Sequence, residues 1–141
     1  MDFRVKTGAI KERRIKVSSN QTTSFLWDGE NVLSTPAMIS EMEETCRLLI
    51  KEQVPLDSEW DSVGTLVNVR HLAATPVGAE VLLRAKVTSI EGRRVRFEVE
   101  ASDRIEKVGD GIHERFIINV PRFRTKFNEK QKQLQTKEAG G

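Results

Sequence analysis

Glu43 is the side chain whose placement first points to chemistry. The run Ser34-Thr35-Pro36-Ala37-Met38 reads as the start of a helix. Thr35 is an N-cap type, and Pro36 suits the first helical position, where a backbone N–H has no partner to lose. Apolar residues then recur at helical spacing, at Met38, Met42, Cys46 and Leu49, with Ile39 and Ile50 widening the stripe. On that wheel Glu43 falls at the margin of the stripe, beside Ile39, Cys46 and Ile50, while Ser40, Glu44, Arg47 and Lys51 lie opposite. A carboxylate at the edge of a buried face is unfavourable unless something partners it. Such a group can act as a base or a nucleophile. The plainer alternatives are that Thr35 only caps the helix and that Glu43 pairs with Arg47 one turn on.

The elements that must position these groups follow from the pattern. Residues 10–18 alternate and suit a strand, with Ile15 and Val17 on one face. Phe25, Leu26 and Trp27 lead into an Asp28-Gly29 turn signal, and the helix runs from about residue 36 to about 52. Pro55 with Asp57, Glu59 and Asp61 makes a loop. The period then switches to two. Residues 63–73 put Val67, Val69 and His71 on one face, which turns His71 toward the core, either as a satisfied core histidine or as a proton carrier. Thr75-Pro76-Val77-Gly78 is a turn, residues 79–90 are a strand with Val81, Leu83, Ala85 and Val87 inward, and Glu91-Gly92 marks a hairpin. In residues 94–102, Val95, Phe97, Val99 and Ala101 oppose Arg94, Arg96, Glu98 and Glu100. Val108-Gly109-Asp110-Gly111 reads as a further turn before a last strand at 112–120. Short turns imply antiparallel neighbours, and the one amphipathic helix must cover the sheet. The fold class is α+β.

Composition narrows the functions. The 141 residues fit one domain, and 38% hydrophobic with 31% charged residues is ordinary for a soluble globular chain. Net charge is only +2, but residues 122–141 carry six basic and two acidic side chains, so the first 121 residues sum to −2. A basic tail on a near-neutral body suits an anionic ligand. It does not suit nucleic acid, because only Phe123 and Phe127 interleave with the charges. Cys46 is the only cysteine, so no intrachain disulfide is expected, and no apolar run approaches a membrane span. The expected location is the cytoplasm. The domain is expected over 1–127, with a polar, solvated tail over 128–141.

The strings His71-Leu72-Ala73-Ala74-Thr75-Pro76-Val77-Gly78, Ser89-Ile90-Glu91-Gly92-Arg93-Arg94 and Gly111-Ile112-His113-Glu114-Arg115 resemble the fluoroacetyl-CoA thioesterase-like group of hotdog thioesterases. The likeness runs over roughly residues 10–127. It implies a hotdog fold, a curved antiparallel sheet wrapped around one long central helix. It implies hydrolysis of a short-chain acyl-CoA thioester by a trio in which Thr35, Glu43 and His71 match the family's threonine, glutamate and histidine. Gly64 matches a glycine near the acyl pocket, and Arg115 an arginine near the trio. The segment before the helix departs from the pattern of the family's fluoroacetate-selective lid. Hotdog proteins hold the CoA nucleotide near the surface with basic side chains, for which Arg122 and Arg124 are the candidates, with Lys126, Arg93 and Arg94 nearby. No cofactor or metal is expected, CoA entering as part of the substrate. A homodimer or higher assembly is implied, with each site drawing on two subunits. The rival readings are a non-catalytic acyl-CoA or CoA binder and a hotdog hydratase, whose Asp-x4-His string is missing. His113 faces away from Ile112, Glu114 and Phe116 and receives no role, while Met38, Met42 and Trp27 either line an acyl pocket or fill the core.

Overall fold

The computed structural model describes residues 4–26, 31–54 and 59–140. The turn expected at Asp28-Gly29, with Trp27, and the loop residues Pro55 and Asp57 lie outside them. Strands form where the side chains alternate. β1 spans Ile10–Lys16, β2 Trp60–His71, β3 Glu80–Glu91, β4 Arg94–Ser102 and β5 Lys107–Asn119. Val81, Leu83, Ala85 and Val87 of β3 and Val95, Phe97, Val99 and Ala101 of β4 are buried, as their period of two requires. α1, Thr35–Gln53, lays Met38, Met42, Cys46, Leu49 and Ile50 on this face and touches all five strands. Both methionines belong to this core.

All neighbours are antiparallel, in the order β1-β3-β4-β5-β2. β2 and β3 are consecutive but not adjacent. The turn at Thr75–Gly78 therefore belongs to a crossover over residues 72–79 rather than to a hairpin. The crossover is pinned where Leu33 N–H donates to the Thr75 carbonyl at 2.8 Å. β2 is left as a sheet edge. Asp61, expected in a loop, is inside β2, where it accepts from Arg47 Nη2 at 2.9 Å.

The turn expected at 108–111 is displaced. Asp103 makes it instead, its Oδ1 accepting from the N–H groups of Ile105 (2.8 Å) and Glu106 (2.9 Å). Gly109 and Gly111 sit inside β5, paired with His71 and Val69. Their glycines answer to crowding, since a Cβ at Gly109 would lie 2.8 Å from the Arg70 carbonyl and one at Gly111 would collide with the Asn68 carbonyl.

A bulge in β2 sets up the rest of the molecule. Gly64 pairs with Arg115, Leu66 pairs with Glu114, and Thr65 is the extra residue. Before the bulge Trp60 and Ser62 are buried; after it Val67, Val69 and His71 take over the inward parity. Finally, the expected tail continues as a helix. α2 runs Val120–Gly140, exposed throughout, with Asn119 Oδ1 accepting from Arg122 N–H at 3.2 Å at its start.

Gly111→Ala is expected to lower the unfolding free energy by about 1–3 kcal/mol, because the methyl must push β2 away from β5. Urea denaturation checks this.

Candidate active site

Ser34, rather than Thr35, caps α1. Its Oγ accepts from Ala37 N–H at 3.2 Å, so the helix begins one residue earlier than the sequence suggests. The shift frees the Thr35 hydroxyl, which lies 2.8 Å from His71 Nδ1. His71 ends β2 half-buried, and its Nε2 is buried with no hydrogen-bond partner among the described residues. A shallow depression of about 360 Å³ opens beside the pair, lined by Val32 and by Leu72, Ala73 and Ala74 of the crossover.

Glu43 is elsewhere. It lies eight residues beyond Thr35, about 12 Å along the helix axis. It does not take up the expected pairing with Arg47, which binds Glu44 and Asp61 instead. Its carboxylate faces the inner side of the bulge: a Cβ on Gly64 would lie 3.0 Å from Glu43 Oε1, 3.2 Å from His113 Cε1 and 3.6 Å from Arg115 Nη1. Arg115 is buried. Its Nε donates to Ser62 Oγ at 2.8 Å, its Nη2 to the Ser62 carbonyl at 2.7 Å, and its Nη1 to His113 Nε2 at 3.2 Å. His113 Nδ1 in turn lies 2.8 Å from the Leu66 carbonyl. A carbonyl can only accept and a guanidinium can only donate, so His113 is neutral with its proton on Nδ1. Sequence reasoning missed His113 and Ser62. The parity that placed His113 away from Ile112 and Glu114 also placed it beside Arg115, and that was the available signal.

The electrostatics agree with the geometry. Burial pushes His71 below its ordinary 6.5, against a smaller opposing pull from the Ala73 backbone. Burial does the same to His113, the Leu66 carbonyl opposing and Arg115 adding to the shift. Burial also lowers Arg115, while the carboxylate of Glu43 works to keep it charged. Cys46 is not a nucleophile in this arrangement, since burial pushes its thiol far above the ordinary range.

The chain thus brings Thr35 to His71, and Glu43 to Gly64 and Arg115, but among the described residues no hydrogen bond joins Glu43 to either member of the first pair. Arg122 and Arg124 are exposed on α2, apart from both groups; Arg122 lines a groove against the outer sheet face, and Arg124 is not among its lining. No cluster of three metal-ligating side chains occurs, and no helix is long and apolar enough to cross a membrane, among the described residues.

The profile of the fluoroacetyl-CoA-specific thioesterase family matches residues 17–121. A fluoroacetyl-CoA thioesterase of Streptantibioticus cattleyicolor is 37% identical over 100 residues, 70% of each chain. A threonine-to-serine variant of a fluoroacetyl-CoA thioesterase, solved in complex with acetyl-CoA, superposes with a TM-score of 0.81 at 28% identity, over 89% of this chain and 98% of that one. A hot-dog-like protein from Thermanaerovibrio acidaminovorans gives 0.82 at 26% identity, over 92% and 97%. The sheet curled on α1 is therefore the hotdog fold.

Both imidazoles are held below the 6.5 of an unfolded chain, so the unfolded state takes up more protons as the solution is acidified. Stability is expected to fall between about pH 7 and pH 5, with a flatter dependence in His113→Gln. The urea midpoint measured across that window tests it.

Proposed function

This chain belongs to the fluoroacetyl-CoA-specific thioesterase family, and from that membership we propose that it hydrolyses short-chain acyl-CoA thioesters with Thr35, Glu43 and His71. Its enzymatic class, thioester hydrolase, rests on the family itself. The observation that carries the finer reading is the division of the trio within one chain. The Thr35–His71 pair stands at one end of edge strand β2, and Glu43 faces Gly64 seven residues back.

Two copies unite them. An exposed edge strand is a liability that a second edge removes. Leu66 and Val67, at the middle of β2, are 42% and 41% exposed. With Thr65 as the extra residue, antiparallel pairing of β2 with its copy about a two-fold axis through Asn68 sets His71 of each chain opposite Gly64 of the other. The orphaned His71 Nε2 then meets the partner's acyl site, and each dimer holds two composite sites.

At each site the thioester carbonyl lies over Gly64, where a side chain would collide with Glu43. Glu43 either attacks the carbonyl carbon itself, giving an anhydride that a water then hydrolyses to regenerate the carboxylate, or deprotonates a water that attacks in its place. The C–S bond breaks, the thiolate takes a proton, and the acid and CoA leave. His71, neutral at rest, orients Thr35 and carries the proton. The Arg115 cation lies beside the carbonyl site and opposes the negative charge that develops there. Short acyl groups fit because the core beneath α1 is already filled by Met38, Met42, Leu49 and Phe97. The solved relative with acetyl-CoA is consistent with this size.

Glu43→Gln and His71→Ala are each expected to lower kcat for acetyl-CoA by about 10²-fold or more, read as thiol release. Mixed together and allowed to exchange subunits, the two inactive proteins are expected to recover about a quarter of the unmodified rate, since each mixed dimer rebuilds one intact site. No recovery despite exchange would place all three residues in one chain. Light scattering at micromolar concentration should give a dimer, and a monomer there would refute the composite site. Binding of CoA without turnover of any short acyl-CoA would favour a non-catalytic module.

A further inference from the structure

α2 lies almost wholly beyond residues 17–121, which match the family, and it packs mainly on β5. Between it and the outer face of the sheet runs a groove of about 480 Å³. Its sheet wall carries Phe116 and Ile118, and its helix wall carries Phe123. The two phenylalanines are 38% and 46% exposed, which is unusual for rings this close to a core. The rim is cationic. Arg122 and Lys126 stand one turn apart on α2, and Arg93 faces them with its guanidinium stacked 5.2 Å from the Trp60 ring. Like charges at i and i+4 destabilise a helix. Neither Arg122 nor Lys126 has an ion-pair partner among the described residues, so an anion in the groove would relieve that repulsion.

The groove is joined to the acyl site by a single strand. Val63 and Thr65 line it and flank Gly64, whose inner side faces Glu43. A thioester on Gly64 and a ligand in the groove therefore occupy the two faces of one sheet edge.

We propose that this groove holds the adenosine 3′,5′-bisphosphate end of the CoA thioester, the adenine stacked between Phe116 and Phe123 and the phosphates on Arg122, Lys126 and Arg93. The pantetheine arm passes round the 60–63 end of β2, beyond the stretch 64–71 that pairs with the partner, to reach the carbonyl. The proposal rests on the thioesterase reading for its substrate. It adds that α2 is a substrate-binding helix, and that Lys126, rather than Arg124, accompanies Arg122. Stacking supplies an uncharged contact indifferent to the acyl group, and the cations supply a salt-sensitive one.

The test compares acetyl-CoA, its 3′-dephospho form and acetyl-pantetheine. In the unmodified protein kcat/KM should fall in that order. In the double variant Arg122→Gln with Lys126→Gln, and separately in Phe123→Ala, the advantage of acetyl-CoA over acetyl-pantetheine should shrink by about tenfold or more. All three positions are exposed on α2, so folding is not at stake. An unchanged advantage in both variants overturns the groove assignment and leaves the thioesterase reading intact. If the unmodified protein hydrolyses none of the three, the thioesterase reading fails instead. Calorimetric titration with adenosine 3′,5′-bisphosphate then decides the groove: binding that the double variant loses supports it, and no binding removes it.

Discussion

One extra residue in an edge strand governs the geometry of this molecule. In a regular strand, residues seven apart face opposite ways. Gly64 and His71 would then lie on different sides of the sheet. The bulge at Thr65 reverses the parity of β2 midway, so both turn toward α1. Two side chains of β5 flank it. Arg115 clamps Ser62 on one side, and His113 holds the Leu66 carbonyl on the other. The Thr65 hydroxyl donates to the Glu114 carbonyl at 3.2 Å, tying the extra residue itself to β5. A bulge held at three points is a fixed feature rather than a slip of register.

The same clamps solve an electrostatic problem. An arginine with 5% of its surface exposed is costly unless its donors are used. Ser62 and His113 take one donor from each of its three nitrogens, and Glu43 lies near enough to balance the charge. Breaking such a network on one side typically costs about 3–5 kcal/mol. The Gly64-x-Leu66 backbone, the buried charge and the carboxylate on α1 are thus mutually dependent. His113 serves that network by holding one tautomer, with no need of a proton exchange of its own.

What lies almost wholly outside the matched residues 17–121 is α2. A helix of 21 residues with no buried side chain gains little from packing. Its basic surplus and its exposed phenylalanines fit a ligand better than they fit a core. The proposed two-fold pairing of β2 and the proposed nucleotide groove use different faces of the same edge strand, the first in the plane of the sheet and the second on its outer surface. That separation lets one strand serve both.

Much of this was legible in the residues. Alternation in 79–90 and 94–102 fixed which side chains are inward, because a pleated strand has no other way to bury them. The helical stripe from Met38 to Ile50 fixed the face of α1, and the His71 and Gly111–Arg115 strings marked the family. Other features were decided only by the tertiary structure. Whether Ser34 or Thr35 capped the helix depended on His71 being close enough to hold the threonine. The Gly109-Asp110-Gly111 run looked like a turn, because glycines demanded by a tight approach of β2 and Met38 have the same composition as glycines demanded by a bend. The bulge left no mark, since one extra residue changes parity only relative to a partner strand. Local pattern reports what each segment prefers; which segments face one another is set by long-range contact, and there the site was made.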